Sequence, residues 1–248
     1  MKVEEINPYN QREEKGGQVE AMFDSIARRY DIMNTAMSLG QHKLWRNRAL
    51  KAALKALPDK KIHSVLDVAT GTGDVAFRLQ ELLPESKITG IDLSEGMLQV
   101  ARKKLLQLPL TQREMIAFGK GDSLNMPFHN SQFDLITVAY GVRNFSDLKK
   151  GLAEMRRVLS DDGVLCIIEL STPEGSLTKP LYNLYSGKII PLLGKRVTGD
   201  SRAYSYLPES IAACPQREEM ASLLKEAGFS DVNWKSLTFG ALTYYIAK

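Results

Sequence analysis

The chain has 248 residues, 44% hydrophobic and 25% charged, with a formal net charge of +4. That composition excludes a disordered or collagen-like chain and fits one sizeable α/β domain. The mild positive charge gives little ground for a nucleic-acid partner, and no apolar run approaches the length of a membrane span, so any membrane contact is expected to be peripheral. The two cysteines, Cys166 and Cys214, stand far apart without metal-ligand spacing. No metal is expected, and a reducing, cytoplasmic compartment is.

Residues 1–17 are polar and charged, with Pro8 and a Gly16-Gly17 pair, and read as a flexible tail. Residues 18–248 read as a single domain, with a helical cap over 18–60. In that cap Val19, Met22, Phe23, Ile26, Ala27 and Tyr30 fall at helical spacing. Asp31, Asn34 and Ser38 interrupt the pattern. A second amphipathic run from Leu44 to Leu57 is stopped by Pro58.

Strand and helix then alternate. Strands are expected at 63–69, 87–92, 115–120, 133–140 and 164–170, with helices at 74–83, from Ser94 onward, and at 147–159. Ser94 has the chemistry of an N-cap. Asp161-Asp162-Gly163 reads as a turn before strand five. Nearly continuous apolar strands mean a parallel sheet covered on both faces. Residues 172–208, with prolines at 173, 180 and 191 and ending on Pro208, and with many apolar residues, read as a cover inserted after strand five. A helix at 216–227, stopped by Gly228, and two closing strands at 232–237 and 241–247 complete a seven-stranded sheet.

The stretch Asp67-Val68-Ala69-Thr70-Gly71-Thr72-Gly73 organises the site. It joins an apolar strand to a helix beginning at Asp74. Gly71 and Gly73 allow a sharp turn and close approach of a ligand to the backbone. Asp92 ends strand two roughly 20 residues on, the distance at which a carboxylate accepts from a ribose diol. The alternative is a helix-initiating acid beside Ser94. Asp122-Ser123 ends strand three, where the carboxylate could accept from an adenine amino group. Turn chemistry explains the same pair. Gly71-x-Gly73-x-x-Ala76 also fits a dinucleotide fingerprint, which leaves an NAD(P)-dependent oxidoreductase open.

Asp67-x-Ala69-x-Gly71-x-Gly73, Asp92, Asp122 and Phe133-Asp134 together resemble the motif series of class I S-adenosylmethionine-dependent methyltransferases, with Ala69 where the commonest form has glycine. Phe23-Asp24-x-Ile26-Ala27-x-x-Tyr30-Asp31-x-x-Asn34 is similar to the C-methyltransferases of menaquinone and ubiquinone biosynthesis. So are Ser38-Leu39-Gly40-x-His42-x-x-Trp45-Arg46, Tyr140-Gly141-Val142-Arg143-Asn144 and Tyr204-x-Tyr206-Leu207-x-x-Ser210-Ile211. The resemblance runs from residue 19 onward. It implies a Rossmann-like fold and S-adenosyl-L-methionine as cofactor, held by Asp67, Gly71, Thr72, Gly73, Asp92, Asp122, Ser123 and Ala139. It implies methylation of a ring carbon on a polyprenylated quinol, either demethylmenaquinol or 2-methoxy-6-polyprenyl-1,4-benzoquinol.

A ring carbon is a poor nucleophile until the neighbouring phenol loses its proton, so the site needs a group that favours phenolate. Arg143, just past strand four, is expected to do this; the alternative is an ion pair with Asp147. Tyr30, Asn34, Tyr140, Asn144, Tyr204 and Tyr206 are expected around the ring, with core packing as the alternative for each tyrosine. His42 is the one histidine placed to act as a base, against an equal reading as a helix-facing histidine. His63 and His129 read as structural and as part of a polar turn. Leu181, Tyr182, Leu184, Tyr185, Ile189, Ile190, Leu192 and Leu193 suit a channel for an isoprenoid tail, a homodimer face or a cover. A non-catalytic cofactor-binding subunit of a quinone-synthesis complex is the remaining alternative.

Overall fold

The computed structural model describes residues 2–10, 13–57, 61–176, 178–184 and 201–248, apart from the side chains of residues 181, 183, 201, 203 and 204. Seven strands form one sheet: β1 (Ser64–Val68), β2 (Lys87–Asp92), β3 (Ile116–Lys120), β4 (Phe133–Ala139), β5 (Leu159–Leu170), β6 (Val232–Leu237) and β7 (Leu242–Ala247). Their order is β3-β2-β1-β4-β5-β7-β6. Only β7 runs against its neighbours. The chain leaves β1 toward β2 and β3 on one side, then returns to β4 on the other. The crevice of an open α/β sheet lies beyond the carboxyl ends of the strands at that reversal.

Helices cover both faces. The first three are α1 (Lys15–Ile26), α2 (Tyr30–Ser38) and α3 (Gln41–Lys55). Within the sheet repeat come α4 (Asp74–Leu82), α5 (Glu95–Leu105), α6 (Leu110–Arg113) and α7 (Leu148–Val158). After β5 come α8 (Thr178–Leu184), α9 (Ser201–Ala213) and α10 (Glu218–Glu226). Strand pleating sorts the core. Leu66, Val68, Ile136 and Val138 face one cluster with Leu152 and Met155 of α7. Val65 and Leu135 face the other, with Ala49 and Ala53 of α3 and Leu79 of α4. The same alternation puts Asp67 and Thr137, paired in register, side by side on that second face. Cys166 and Cys214 are buried free thiols, as small core residues commonly are.

Three expectations need correction. The segment expected as a flexible tail is docked where it is described. Val3 and Ile6 are buried, and Lys15, the first residue of α1, donates to the carbonyls of Val3 (2.6 Å) and Arg143 (2.9 Å). Two apolar side chains in a charged stretch escape a composition average yet suffice to seat it. Asp161-Asp162-Gly163 is not a separate turn: it lies within β5, where the pairing with β4 shifts register between Phe133 and Leu135. The cap breaks at a 3₁₀ turn, Ala27–Arg29, and at Leu39-Gly40, both left-handed, so it makes three helices, where two were expected.

Ala69 itself is left-handed, with φ of +52°. Its Cβ would lie 2.8 Å from a Cβ built on Gly141, which follows β4. The two connections approach so closely that only one of them carries a side chain there. Gly141→Ala should lower stability by about 1–3 kcal/mol, as overpacking does. In an Ala69→Gly background the same change should cost at least ~1 kcal/mol less, because the opposing methyl is gone. Urea denaturation of the four chains in a double-mutant cycle measures this coupling.

Candidate active site

The turn after β1 is held by carboxylates. Gly71 N donates to Asp92 Oδ2 (2.8 Å), while Asp92 Oδ1 accepts from Ser94 N (2.9 Å). One side chain at the end of β2 thus fixes both the glycine turn and the start of α5. Asp67 lies beneath, 1% exposed, accepting from Thr70 Oγ1 (2.6 Å) and Thr137 Oγ1 (2.7 Å). Gly73, with φ of +82°, packs against Phe77 and Phe118, where an added Cβ would lie 2.8 Å from each ring. A Cβ on Gly71 would meet nothing within 4 Å, so this glycine faces open space.

The cap is bolted onto this turn. Asp24 of α1 accepts from Ser94 Oγ (2.6 Å) and Gly96 N (2.8 Å). Asp31 of α2 accepts from Thr72 Oγ1 (2.6 Å) and pairs with Lys104 (2.5 Å). Asp74 pairs with Arg46 of α3 (2.9 Å) and with Lys104 (2.8 Å).

Three cavities adjoin. The first, about 80 Å³, has Gly71, Asp92, Asp122, Ser123 and Ala139 in its wall, with Glu20 and Phe23 of α1 opposite. Among the described residues no lysine or arginine lines it. The second, about 210 Å³, lies among the cap, Arg143 and α9. Its wall is largely apolar, with Tyr30, Asn34, His42, Tyr140, Asn144 and Tyr206 as polar points. The third, about 40 Å³, reaches Asp67, Thr72, Arg46 and Asp74. Tyr30 and Tyr140 border all three.

Most of the residues singled out from sequence therefore converge, but three do so differently from expectation. Asp67 has both oxygens engaged by threonine hydroxyls and supports the turn from below. Gly73 lines none of these cavities. Arg143 does not pair with Asp147, which instead caps α7 by accepting from Lys150 N. Its partner is Glu169 of β5, with Nη1 2.7 Å from Oε1, both side chains buried. Burial is the largest influence and opposes the charge on Arg143, but Glu169, Tyr30 and Tyr206 together outweigh it and raise the guanidinium pKa. Arg143 Nη1 and Asn144 Nδ2 also donate to the Tyr140 carbonyl (2.5 and 3.2 Å), holding Tyr140 at φ of +60°. Arg143 Nε and the Tyr140 hydroxyl are buried without a hydrogen-bond partner. Tyr206 donates to Asn144 Oδ1 (3.1 Å). The Tyr204 side chain and residues 185, 189, 190, 192 and 193 lie outside the described residues. Asp134, in the expected motif series, accepts from His63 N and Ser64 N at the opposite end of the sheet.

Sequence reading missed Glu169, Asp24, Asp31 and Lys15. Glu169 had a signal: a lone acid at the end of the apolar run Val164–Ile168. Asp24 and Asp31 look like ordinary solvated acids on helices until the fold brings the turn to them.

Burial raises Asp67 to about 6, against the opposing bonds from Thr137 and Thr70. The folded state therefore binds this proton more tightly than the unfolded chain, whose aspartate titrates near 3.8. Stability tied to this group is full below about pH 4 and is lost as pH rises toward 6. Relative to Asp67→Asn, the wild type should lose about 2–3 kcal/mol across that window and nothing more above it. Denaturant midpoints of both chains from pH 4 to 7 test this.

The ubiE/COQ5 methyltransferase family profile matches residues 10–248. The chain is 45% identical over 245 residues to a demethylmenaquinone methyltransferase of Bacteroides fragilis, covering 98% of this chain and 97% of that one. It is 38% identical over 228 residues to a ubiquinone/menaquinone biosynthesis C-methyltransferase UbiE of Dinoroseobacter shibae, covering 92% and 89%. Among solved structures, an S-adenosylmethionine-dependent methyltransferase of Thermotoga maritima superposes with a TM-score of 0.60 at 19% identity, over 92% of this chain and 98% of that one; at that identity the likeness speaks for the fold. With the similarity running almost from end to end, the chain belongs to the ubiE/COQ5 methyltransferase family.

Proposed function

We propose that this chain transfers a methyl group from S-adenosyl-L-methionine to a ring carbon of a demethylated polyprenyl naphthoquinol. The observation that carries this reading is the pair of unlike cavities meeting at Tyr30 and Tyr140. The first suits a cationic nucleoside. Asp92 and Asp122 stand in its wall with Glu20, which is paired with Lys120 (2.6 Å), and among the described residues no lysine or arginine lines it to neutralise a pyrophosphate. Asp31, bonded to Thr72, and Asp74 place carboxylates beside the start of α4, where a dinucleotide phosphate would sit. Both features weigh against an oxidoreductase.

Bound there, S-adenosylmethionine supplies an electrophilic methyl group. Asp92 accepts from the ribose hydroxyls, Asp122 from the adenine amino group, and the Ser123 backbone N–H donates to the adenine ring. Gly71 and Ala139 leave room for the nucleoside. Thr72 holds Asp31 and so keeps the cap closed. Tyr30 and Tyr140 stand where the methyl group passes toward the second cavity, and alignment of the two reactants there is the main source of rate.

The second cavity suits an aromatic ring. An apolar cavity of about 150 Å³ holds a benzene, so about 210 Å³ takes a fused ring but not a prenyl tail. Asn34, Asn144 and Tyr206 fix the ring. Arg143 offers its unpartnered Nε–H to a ring oxygen as negative charge gathers, while Glu169 holds the guanidinium plane.

The tail then has to leave through the mouth. Leu39 and Phe239 stand 87% and 82% exposed, both with left-handed backbone. Trp45, in the cavity wall, donates to Thr238 Oγ1 (2.8 Å), next to Phe239. Among the described residues no helix is long and apolar enough to cross a membrane. These side chains are the contact by which the mouth meets a lipid surface.

With labelled S-adenosylmethionine and a panel of demethylated quinols, the purified chain should methylate prenylated naphthoquinol fastest, prenylated benzoquinol more slowly and tailless rings poorly. A product in which the label sits on oxygen, or no product from any quinol, would end the reading. Leu39→Asp combined with Phe239→Asp should reduce co-sedimentation with anionic vesicles severalfold while cofactor affinity by calorimetry stays unchanged. Equal sedimentation of both chains would remove the lipid contact.

A further inference from the structure

The junction of α2 and α3 fixes a tautomer. Ser38 Oγ lies 2.6 Å from the Asn34 carbonyl oxygen and 2.6 Å from His42 Nδ1. A hydroxyl has one proton to donate. If that proton went to Nδ1, two oxygens 2.6 Å apart would face each other with no hydrogen between them. Given to the Asn34 carbonyl, it leaves the Oγ lone pairs free to accept. One accepts Nδ1–H and the other, at 3.4 Å, the His42 backbone N–H. The ring therefore carries its proton on Nδ1, and Nε2 is left with an open lone pair.

That lone pair belongs to a buried side chain in the wall of the second cavity and of the smallest one. Among the described residues no hydrogen bond reaches Nε2. The other ionisable groups around the second cavity are Arg143 and Tyr30, Tyr140, Tyr182 and Tyr206. Every one of them is shifted upward and keeps its proton at neutral pH. His42 is shifted the other way, by burial and then by Arg46, so it meets the substrate uncharged. The charged groups facing it are Arg46 and Lys43 of α3, Asp31 of α2 and Asp74 of α4.

We propose that His42 Nε2 is the base that takes the hydroxyl proton of the quinol, with Ser38 as the positioning residue that sets its tautomer. This rests on the quinol occupying the second cavity. The O–H bond breaks, its electron pair stays on oxygen, and an Nε2–H bond forms. The ring carbon then gains the methyl group, and the carbon–sulfur electron pair leaves on sulfur. The hydrogen on that carbon departs as a proton to solvent, and its bonding pair restores the aromatic ring. The oxygen then takes back the proton from the imidazolium. One proton is released per methyl transferred.

The wild-type chain, labelled with nitrogen-15 histidine, gives the first test. It has three histidines, and His42→Gln identifies the signal of interest. Near neutral pH the His42 ring should show a protonated Nδ1 and an unprotonated Nε2; a ring protonated on Nε2 overturns the proposal. His42→Gln should lower turnover by about a hundredfold or more while affinity for S-adenosylhomocysteine stays within twofold. It should also lose the acid limb of the kcat/KM profile, which falls in the wild type as the imidazole gains a proton. Ser38→Ala should keep part of the turnover and show a mixture of tautomers. Turnover of His42→Gln within tenfold of wild type, or a parallel loss of S-adenosylhomocysteine affinity, overturns the proposal. A wild-type chain that methylates no quinol ends the substrate reading instead, and with it the role of His42 as base.

Discussion

One carboxylate at the end of β2 sets the geometry on which everything else depends. In the glycine turn after β1, Thr70 N–H bonds the Ile91 carbonyl of β2, but Gly71 N–H has no such strand partner, and a free turn would sample many conformations. Asp92 removes that freedom by accepting from Gly71 N on one oxygen and Ser94 N on the other. It is partly buried, and the loss of water around it raises its pKa, so the bonds from Ser94 and Gly71 help to keep it charged. The turn, the start of α5 and the wall of the nucleoside cavity are consequently one rigid unit.

The cap depends on the same unit from the outside. Asp24 and Asp31 reach from α1 and α2 to the start of α5 and to Thr72. Without the turn in place Asp24 would lose these partners and Asp31 would keep only Lys104. The ring cavity exists because α2, α3 and α9 are held over the sheet at the distance these bonds dictate. Its walls carry several methionines, Met22, Met33 and Met37 among them, whose unbranched side chains adapt to the shape of what they enclose.

The sheet was legible because its strands are short apolar runs between strong stop signals, and Gly228 ends α10 with the positive φ expected of it. That Asp92 and Asp122 would meet at one cavity was legible because they sit at strand ends at fixed spacing. Legibility failed where contacts join residues distant in sequence. Arg143 and Glu169 are 26 positions apart and on different strand ends, so the ion pair weighed as the alternative for Arg143 was with the nearer acid, Asp147. Lys15 and Arg143 are 128 apart. Asp67 was visible, but a pattern along one strand does not show that the neighbouring strand sets Thr137 beside it. Ala69 shows the reverse case: its left-handed φ explains why glycine is common at that position, and Gly141 explains how alanine is accommodated.

The acidic lining of the nucleoside cavity has a further consequence for the cycle. The methyl donor is a sulfonium cation, whereas the thioether it becomes has lost that charge. Glu20, Asp92 and Asp122 stay where they are through this change. Surroundings that attract the incoming molecule by charge would thus hold the spent one less firmly. Replacement of the spent nucleoside is favoured by the reaction itself, with no separate device to expel it.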